Sequence, residues 1–250
     1  MKQIVSVVTP WLGAGKTRLA VNLAACLALF EKKTLLVDGD PRGDASARLL
    51  PADNDRPGLY AFLTGDDGRK SVTDTGLDFL KIIPAGRNLF RAESELFSFP
   101  DRADLMKHKI KALAEDFEYV LIDSPSALGP LTVCLMAASE AVLIPLPCHA
   151  DAPATLETLL PVVADVKRQW RPELTIAGIV FTQCDGWDEA RAVFPDDLLT
   201  GIETVALTNV IPKIESSGGQ APHEPPAVLK NVMSELSERY LELAAELLER

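Results

Sequence analysis

A short loop near the start of the chain has the residue types that bind the phosphates of a nucleotide. It consists of Gly13, Ala14, Gly15, Lys16 and Thr17. Glycines let backbone N–H groups approach an anion, and a helix beginning at the end of the loop adds the positive end of its dipole. The lysine of such a loop reaches the β- and γ-phosphates, and the threonine hydroxyl is a ligand of Mg²⁺. The usual pattern has a glycine where this chain has Pro10, so the loop alone is a weak signal.

The residues on either side of this loop strengthen the assignment. An apolar run at 4–8 precedes it and has the length of a buried strand. After it, Leu19, Leu23, Leu27 and Phe30 recur at helical spacing. Strand, glycine turn and helix form the context in which a Gly-Lys-Thr segment binds phosphate, so the sequence predicts a nucleotide site here.

Carboxylates follow two further apolar runs. Asp38 and Asp40 come after the run at 33–37, and Asp123 comes after the run at 117–122. In an open α/β sheet, ligands bind beyond the carboxyl ends of the strands, so the loop and these aspartates should converge. Asp123 fits the carboxylate that holds Mg²⁺ through water. Asp38 and Asp40 lie two residues apart and share a face, so one could touch the magnesium shell while the other orients the attacking water.

Strands and helices alternate along nearly the whole chain, which predicts one α/β domain over residues 1–250. Its sheet should be doubly wound and mostly parallel, with helices on both faces. Predicted strands lie at 4–8, 33–37, 77–83, 117–122, 141–146, 174–181 and 203–211. Predicted helices follow the phosphate loop and lie at 59–63, 101–115, 128–138, 154–170 and 188–199. A final helix should bury the stripe Val228, Val232, Leu236, Tyr240, Leu243 and Leu247, after a loop at 212–226 that we expect to be mobile at 216–219.

Composition limits the classes of function. A net charge of −11 and a pI of about 4.8 argue against a basic surface over the whole protein. The lysine and arginine clusters at 107–111 and 167–171 are more typical of solvated helix faces than of a DNA site. No apolar run approaches the roughly 20 residues that span a bilayer, and no signal segment is visible, so we expect a cytoplasmic protein.

The cysteines and histidines are scattered along the chain. Cys26, Cys134, Cys148 and Cys184 form no C-x-x-C pair, and we expect them to be reduced and mostly buried. The three histidines are equally dispersed, so the sequence shows no metal site of the Cys/His type.

The segments that carry this chemistry resemble the signatures of the ParA/MinD group of deviant Walker ATPases, a branch of the P-loop NTPases. The three main signatures are at 9–17, 35–46 and 119–129, and weaker similarity continues at 141–148, 178–185 and 209–213. The resemblance implies ATP and Mg²⁺ as cofactors. It also implies a homodimer that closes on ATP and separates after hydrolysis.

The implied function is a spatial switch that partitions a plasmid or chromosome region, or positions a large protein assembly such as a carboxysome. In this group an adaptor of ParB-like role stimulates hydrolysis, and the ATP-bound dimer commonly binds DNA without sequence preference. The resemblance therefore also implies association with the nucleoid. Further arginines usually follow the position of Pro212 in DNA-binding members, but this chain continues with Lys213-Ile-Glu, which leaves DNA binding open. The acidic segment at 242–250 differs from the basic membrane helix of MinD-like members, so we expect no membrane binding.

The resemblance also assigns roles to residues. Catalysis would fall to Lys16, Asp38 and Asp40, and Mg²⁺ to Thr17, Asp38 and Asp123. The nucleotide would be bound by Trp11, Gly13, Ala14, Gly15, Lys16, Thr17, Arg18, Asp185 and Pro212. The last two fall where the family surrounds adenine.

One position departs from the family in a way that affects catalysis. The signature lysine, which reaches across the dimer to the partner's phosphates, is replaced by Trp11, and the next glycine by Leu12. Slow hydrolysis or a substitute cation would follow, and the candidates are Arg18, Arg42 and Lys213. The indole could stack across the dimer interface or fill a hydrophobic gap.

Two other functions remain possible on the same fold. A scaffold that dimerises on nucleotide with little or no hydrolysis would explain the missing lysine, although the three retained aspartates oppose it. A small-molecule ligase of the dethiobiotin-synthetase type would need a substrate pocket that no sequence feature indicates. Iron–sulfur relatives would need cluster cysteines, which Cys134 and Cys148 do not provide.

Overall fold

The computed structural model describes residues 3–51, 56–65, 68–97, 101–149, 151–213 and 224–250. Within these ranges seven strands form one sheet. They are β1 (Ile4–Val7), β2 (Thr34–Asp38), β3 (Thr73–Asp74), β4 (Leu80–Ile83), β5 (Tyr119–Asp123), β6 (Ala141–Pro147) and β7 (Thr175–Thr182). Their spatial order is β3-β4-β2-β5-β1-β6-β7, and neighbours run parallel except for the antiparallel pair β3 and β4. The predicted fold class is confirmed.

Helices connect the strands in the same ranges. They are α1 (Lys16–Leu29), α2 (Asp44–Leu49), α3 (Leu59–Thr64), α4 (Leu89–Phe97), α5 (Arg102–Ala114), α6 (Pro130–Ala138), α7 (Ala152–Gln169), α8 (Trp187–Val193), α9 (Asp196–Ile202), α10 (Ala227–Lys230) and α11 (Glu235–Glu249). A short 3₁₀ turn spans Gly68–Ser71. None of the helices in the described ranges is both long enough and apolar enough to cross a membrane.

The sheet is covered on both faces, which explains its continuous apolar strands. The side chains of β1 alternate between the two layers. Ile4 belongs to the cluster formed with α5, α6 and α7, whereas Val5 and Val7 belong to the cluster formed with α1 and α11. The chain leaves β1 towards β2 on one side, and it later crosses from β5 to β6 on the other. Strand β1 is therefore the topological switch point, where ligands bind in sheets of this kind.

Three predicted elements were wrong. The expected strand at 203–211 makes only two isolated bridges, at Ala206 and Ile211. Between them the backbone turns away from the sheet, because the N–H groups of Thr208 and Asn209 donate to the Glu246 carboxylate at 2.7 and 3.0 Å. The expected helix at 188–199 is divided into α8 and α9 at Pro195, which lacks an N–H and disfavours a helical conformation for the preceding residue.

The expected final helix is also divided, into α10 and α11. Ser234 begins α11 by accepting a hydrogen bond from the Ser237 N–H at 3.2 Å, and Val232 in the intervening turn is 50% exposed rather than buried. The strand expected at 77–83 is shorter and begins at Leu80. Helices α2 and α4 were not predicted, and the segment expected to be mobile at 216–219 lies outside the described residues.

Candidate nucleotide-binding site

The loop between β1 and α1, here called the Walker loop (residues 9–17), lies at the switch point of the sheet. Gly13 and Gly15 have φ angles of 92° and 81°, in the left-handed region that favours glycine. No atom lies within 4 Å of a Cβ added at either position. Glycine is therefore required by the backbone conformation and not by a lack of space. Gly15 directly precedes α1, and the N-terminal dipole of that 14-residue helix therefore points into the loop.

Lys16 is buried among carboxylates. Its Nζ lies 3.5 Å from Oδ1 of Asp123 and 3.8 Å from Oδ2 of Asp40, and its side chain is only 4% exposed. The structure thus brings together the loop lysine and the aspartates that follow β2 and β5, as the sequence predicted. We call Lys16, Asp38, Asp40 and Asp123 the acidic cluster.

Asp38 is held by a residue that the sequence analysis missed. Its Oδ2 accepts hydrogen bonds from the Ser46 N–H at 2.7 Å and from the Ser46 hydroxyl at 2.5 Å, and its Oδ1 accepts one from the Asp40 N–H at 3.3 Å. Burial, and then the charge of Asp123, raise the pKa of Asp38 to about 7 despite these bonds. Ser46 lies on α2, whose six residues gave no helical periodicity to recognise.

Asp123 is equally buried. Burial raises its pKa, and the charge of Lys16 and a hydrogen bond with the Thr17 side chain oppose that rise. Its Oδ2 is buried, and no hydrogen-bond partner for it exists within the described chain. A buried carboxylate oxygen of this kind normally has a partner, so this atom is a candidate ligand site.

Gly39 lets the two acidic strand ends approach each other. Asp38 and Asp123 are directly paired in the register of β2 and β5, and the Gly39 N–H donates to the carbonyl oxygen of Asp123 at 2.8 Å. A Cβ at position 39 would lie 2.6 Å from Cδ1 of Leu135 and 2.8 Å from that same carbonyl. Any side chain here would push the strand ends apart.

These residues fit Mg²⁺ and a nucleotide phosphate. Within the described ranges no three His, Cys, Asp or Glu side chains form a ready-made metal cage. Mg²⁺ keeps several waters and is bound through one or two carboxylates together with substrate phosphates. The unpartnered Oδ2 of Asp123 and the neighbouring Thr17 hydroxyl supply oxygen ligands, while Lys16 and the start of α1 supply positive charge for the phosphates.

Trp11, in place of the signature lysine, contacts a residue of its own chain. The ring centroids of Trp11 and His149 are 4.4 Å apart with an angle of 47° between the planes. His149 follows β6, and its Nδ1 accepts a hydrogen bond from the Asp151 N–H at 3.2 Å. The next residue of the Walker loop, Leu12, is 67% exposed.

The three candidate replacement cations lie in different surroundings. Arg42 binds Asp40, with Nη2 at 3.0 Å from Oδ2 and Nε at 3.3 Å from both carboxylate oxygens, and this pairing raises the pKa of Arg42. Lys213 forms an ion pair with Glu189. Arg18 lies near Arg48, whose pKa is lowered first by burial and then by the charge of Arg18. Only Arg42 of the three contacts the acidic cluster in the described structure.

The two residues expected near adenine lie beyond the end of β7. Asp185 is exposed, and its N–H donates to the Glu189 carboxylate at 2.8 Å. Pro212 is half-buried and follows Ile211, whose N–H donates to the Phe181 carbonyl at 2.8 Å. The structure therefore brings neither of them into the acidic cluster.

The end of β7 contacts the Walker loop through two residues that the sequence analysis missed. The Thr182 hydroxyl donates to the Ala14 carbonyl at 2.9 Å, and Nε2 of Gln183 donates to the Gly13 carbonyl at 2.5 Å. A threonine and a glutamine after an apolar strand carry no signal in a single sequence, because their partners are about 170 residues away.

The cysteine prediction was wrong for two of the four residues. Cys148, after β6, and Cys184, after β7, form a disulfide with their Cα atoms 5.4 Å apart. Cys26 and Cys134 are free and buried, as expected. The separation of 36 residues has no pattern typical of a disulfide, and the pairing follows only from the adjacency of β6 and β7 in the sheet.

Comparison with known proteins agrees with this geometry. A family model described as an AAA domain matches residues 2–176. The chromosome partitioning protein ParA of Myxococcus xanthus (strain DK1622) is 34% identical over 248 residues, covering 95% of this chain and 85% of the relative. The sporulation initiation inhibitor protein Soj of Bacillus subtilis (strain 168) is 32% identical, covering 98% of each chain. The chain belongs to the ParA family of AAA-domain ATPases.

Solved structures extend the similarity of this ParA-family chain to its fold. The cobyrinic acid a,c-diamide synthase of Mycobacterium smegmatis, solved with ADP and magnesium, has a TM-score of 0.78 at 26% identity, covering 100% of this chain and 95% of that one. The cell division ATPase MinD of Pyrococcus furiosus has a TM-score of 0.78 at 25% identity, covering 100% and 99%.

Proposed function

We propose that this ParA-family ATPase is an ATP-dependent spatial switch that uses Mg²⁺, and that residues 1–250 form one such ATPase domain. ATP would close a homodimer, hydrolysis would open it, and an adaptor of ParB-like role bound to the cargo would stimulate hydrolysis. The observation that carries the proposal is the acidic cluster. It places one lysine among three buried aspartates at the switch point, in a chain that aligns along nearly its whole length with a chromosome partitioning protein.

The Walker loop would bind the phosphates. The start of α1 directs the positive end of its dipole into this loop, and among the described loop residues Lys16 carries the only charge that can pair with the β- and γ-phosphates. In the structure Lys16 pairs with Asp123 and Asp40 instead. A bound triphosphate would compete for this lysine, and Mg²⁺ would take its place at the carboxylates.

Thr17 and Asp123 would hold Mg²⁺, with Asp38 in the surrounding network. Bound Mg²⁺ neutralises the charge that develops on the transferred phosphoryl group. Asp40 would orient a water molecule for attack, and the hydrogen bonds from Arg42 fix the position of its carboxylate. We favour Arg42 as the cation that replaces the signature lysine, because it is hydrogen-bonded to Asp40, the residue that would orient this water.

The exposed part of the Walker loop supports the homodimer. Leu12 presents an apolar side chain to solvent beside the phosphate site, where the family closes its dimer, and Trp11 lies next to it. We propose that Leu12 is buried when two ATP-bound chains associate. Binding of DNA and location in the cytoplasm at the nucleoid belong to the same proposal and rest on the relatives named for chromosome partitioning.

Size-exclusion chromatography with ATP, with ADP and without nucleotide tests the switch. The wild type should form a dimer with ATP that decays as ATP is consumed, and Asp40→Ala should form one that persists. Asp44→Ala is the matched control, because Asp44 also pairs with Arg42 but lies outside the acidic cluster. A nucleotide-independent oligomeric state in all three proteins would refute the proposal.

A gel shift with ATP at two salt concentrations tests DNA binding, since phosphate contacts weaken as salt rises. Retardation by the ATP dimer at low salt, reduced at high salt, is expected. Absence of retardation at low salt would remove the DNA part of the proposal and leave the dimer switch standing.

A small-molecule ligase is the second candidate, and one observation favours it. A cavity of about 310 Å³ lies beyond the end of β4, lined by Arg56, Tyr60, Arg87 and Asn88 among others. Its two guanidinium groups could bind a carboxylate substrate, and the similar diamide synthase is named for acting on an acid. Stimulation of ATP turnover by carboxylic acids, lost in Arg87→Ala, would support the ligase. Turnover that is unaffected by them would support the switch.

A further inference from the structure

Two loops hold the Walker loop on the side away from the acidic cluster. The first follows β6 and places His149 against the Trp11 ring. The second follows β7 and contributes the hydrogen bonds from Thr182 and Gln183 to the carbonyls of Ala14 and Gly13. The conformation of the phosphate-binding backbone therefore depends on where these two loops lie.

The disulfide joins the same two loops. Cys148 immediately precedes His149, and Cys184 immediately follows Gln183. The two sulfur atoms are thus one residue away from two of the side chains that contact the Walker loop. Backbone bonds link the loops as well, since the Cys148 N–H donates to the Thr182 carbonyl at 3.0 Å.

Gln183 is in a conformation that needs support. Its φ angle is 53°, in the left-handed region that residues with a side chain rarely adopt, and its side chain is exposed. This backbone conformation directs Nε2 to the Gly13 carbonyl. Because Cys184 is covalently fixed, Gln183 is held between the end of β7 and the disulfide. The Cys184 N–H also donates to the Ile211 carbonyl at 3.2 Å, so loss of the S–S bond would remove one of two restraints on this segment and make relaxation of Gln183 easier.

We propose that the Cys148–Cys184 pair is a two-electron switch that sets the affinity of the site for nucleotide, an inference that rests on the proposed nucleotide binding. The oxidised pair holds Gln183 and His149 in place, so the Walker loop is preorganised. Reduction releases both loops, so the Walker loop is less ordered before nucleotide binds. Part of the binding free energy is then used to order it, and the affinity falls.

A dithiol is the class of reductant that the switch requires. One thiolate of the dithiol attacks Sγ of Cys148, which is 8% exposed, whereas Cys184 is fully buried. The S–S bond breaks, and Cys184 leaves as a thiolate and takes a proton. The second thiol of the dithiol then displaces the Cys148 sulfur and closes a cyclic disulfide. Two electrons and two protons pass to the protein.

The test measures the affinity for fluorescent ADP with the full-length protein, oxidised and after treatment with dithiothreitol. Thiol counting should find two free cysteines before reduction and four after it. We expect reduction to weaken ADP binding about fivefold and reoxidation to restore it. In Cys26→Ala/Cys134→Ala the full effect should persist, because those cysteines are free and lie elsewhere in the core.

The variant Gln183→Ala tests whether the disulfide acts through the Gln183 side chain or only by stabilising the fold in general. If the disulfide acts through Gln183, this variant should bind ADP as weakly as the reduced wild type, and reduction should change its affinity less than twofold. Equal affinity of oxidised and reduced wild type would overturn the switch and leave nucleotide binding intact. Absence of ADP binding in both states would instead refute the proposed function. A pair that cannot be reduced without unfolding the protein would also overturn the switch.

Discussion

The two sides of the Walker loop are built from different kinds of interaction. On the β2 and β5 side lies the acidic cluster, in which three aspartates and one lysine are removed from water. On the β6 and β7 side neutral groups donate hydrogen bonds to the loop, from the hydroxyl of Thr182 and the amide of Gln183. In the proposed mechanism the charged side would supply ligands and catalytic groups, and the neutral side would set the shape of the loop.

The two sides should also differ in what a substitution costs. Removal of one partner from a buried charged pair leaves an uncompensated charge, which typically costs about 3–5 kcal/mol. Removal of a neutral hydrogen bond costs about 1 kcal/mol. Substitutions on the charged side should therefore abolish a step, and those on the neutral side should change it by a small factor.

The largest effect is expected from Lys16→Ala. This change removes the cation that pairs with Asp123 and would bind the phosphates, so ATP affinity should fall by about 100-fold or more. Fluorescent-nucleotide titration measures it. Lys32→Ala is the control, because Lys32 forms an exposed ion pair with Glu118, and it should bind ATP like the wild type. A loss below about tenfold in Lys16→Ala would argue against the phosphate role.

Asp123→Asn comes next. It keeps the shape of the side chain but removes the charge that would hold Mg²⁺, so the Mg²⁺ concentration for half-maximal ATPase activity should rise about 10- to 100-fold. A Mg²⁺ titration of ATP hydrolysis measures this change. Circular dichroism checks the fold of the variant. An unchanged Mg²⁺ requirement would remove Asp123 from the metal site.

Ser46→Ala should have an intermediate effect. The hydroxyl donates to the buried Asp38 at 2.5 Å and accepts from the Ala85 N–H at 3.1 Å, so its loss leaves two buried groups with fewer partners. We expect the free energy of unfolding to fall by about 1–3 kcal/mol in urea denaturation. Ser94→Ala removes an exposed hydroxyl that donates to a backbone carbonyl and should change it by less than about 0.5 kcal/mol.

The smallest effect belongs to the neutral side. Thr182→Val is nearly isosteric and removes one hydrogen bond to the Ala14 carbonyl, so nucleotide affinity should weaken about three- to tenfold. Thr158→Val removes an equivalent bond on the exposed face of α7 and should leave affinity unchanged. A 100-fold effect of Thr182→Val would contradict the division between a charged and a neutral side.

The charged side could be predicted from the sequence because its signals are local. Asp38 and Asp123 directly follow apolar runs and Asp40 comes two residues after Asp38, so the convergence of parallel strand ends places these carboxylates near Lys16. Neither Ser46 nor Gly39 was predicted to matter. Their roles depend on the approach of α2 and β5 to the end of β2, which no single segment encodes.

The neutral side could not be predicted from the sequence, because its contacts, like those of Ser46 and Gly39, depend on segments that are distant in the chain. The contacts of Thr182, Gln183 and Cys184 join residues that are far apart in sequence and become neighbours only because β6 and β7 pair next to β1. The mistaken strand at 203–211 illustrates a related limit. Its apolar pattern is typical of a strand, but the Glu246 carboxylate of α11 binds the backbone N–H groups that would have continued the sheet.

Gly39 sets how closely the two acidic strand ends approach each other, and with it the size of the cation that the proposed Mg²⁺ site would accept. The two acidic strand ends can lie this close because residue 39 has only a hydrogen atom as its side chain. Even a methyl group there would overlap Leu135 and the Asp123 carbonyl. A small ion such as Mg²⁺ takes oxygen ligands at about 2.0–2.1 Å, whereas Ca²⁺ takes them at about 2.3–2.6 Å. A side chain at position 39 would widen the gap between the strand ends, so at the proposed Mg²⁺ site we expect it to shift selectivity from Mg²⁺ towards Ca²⁺.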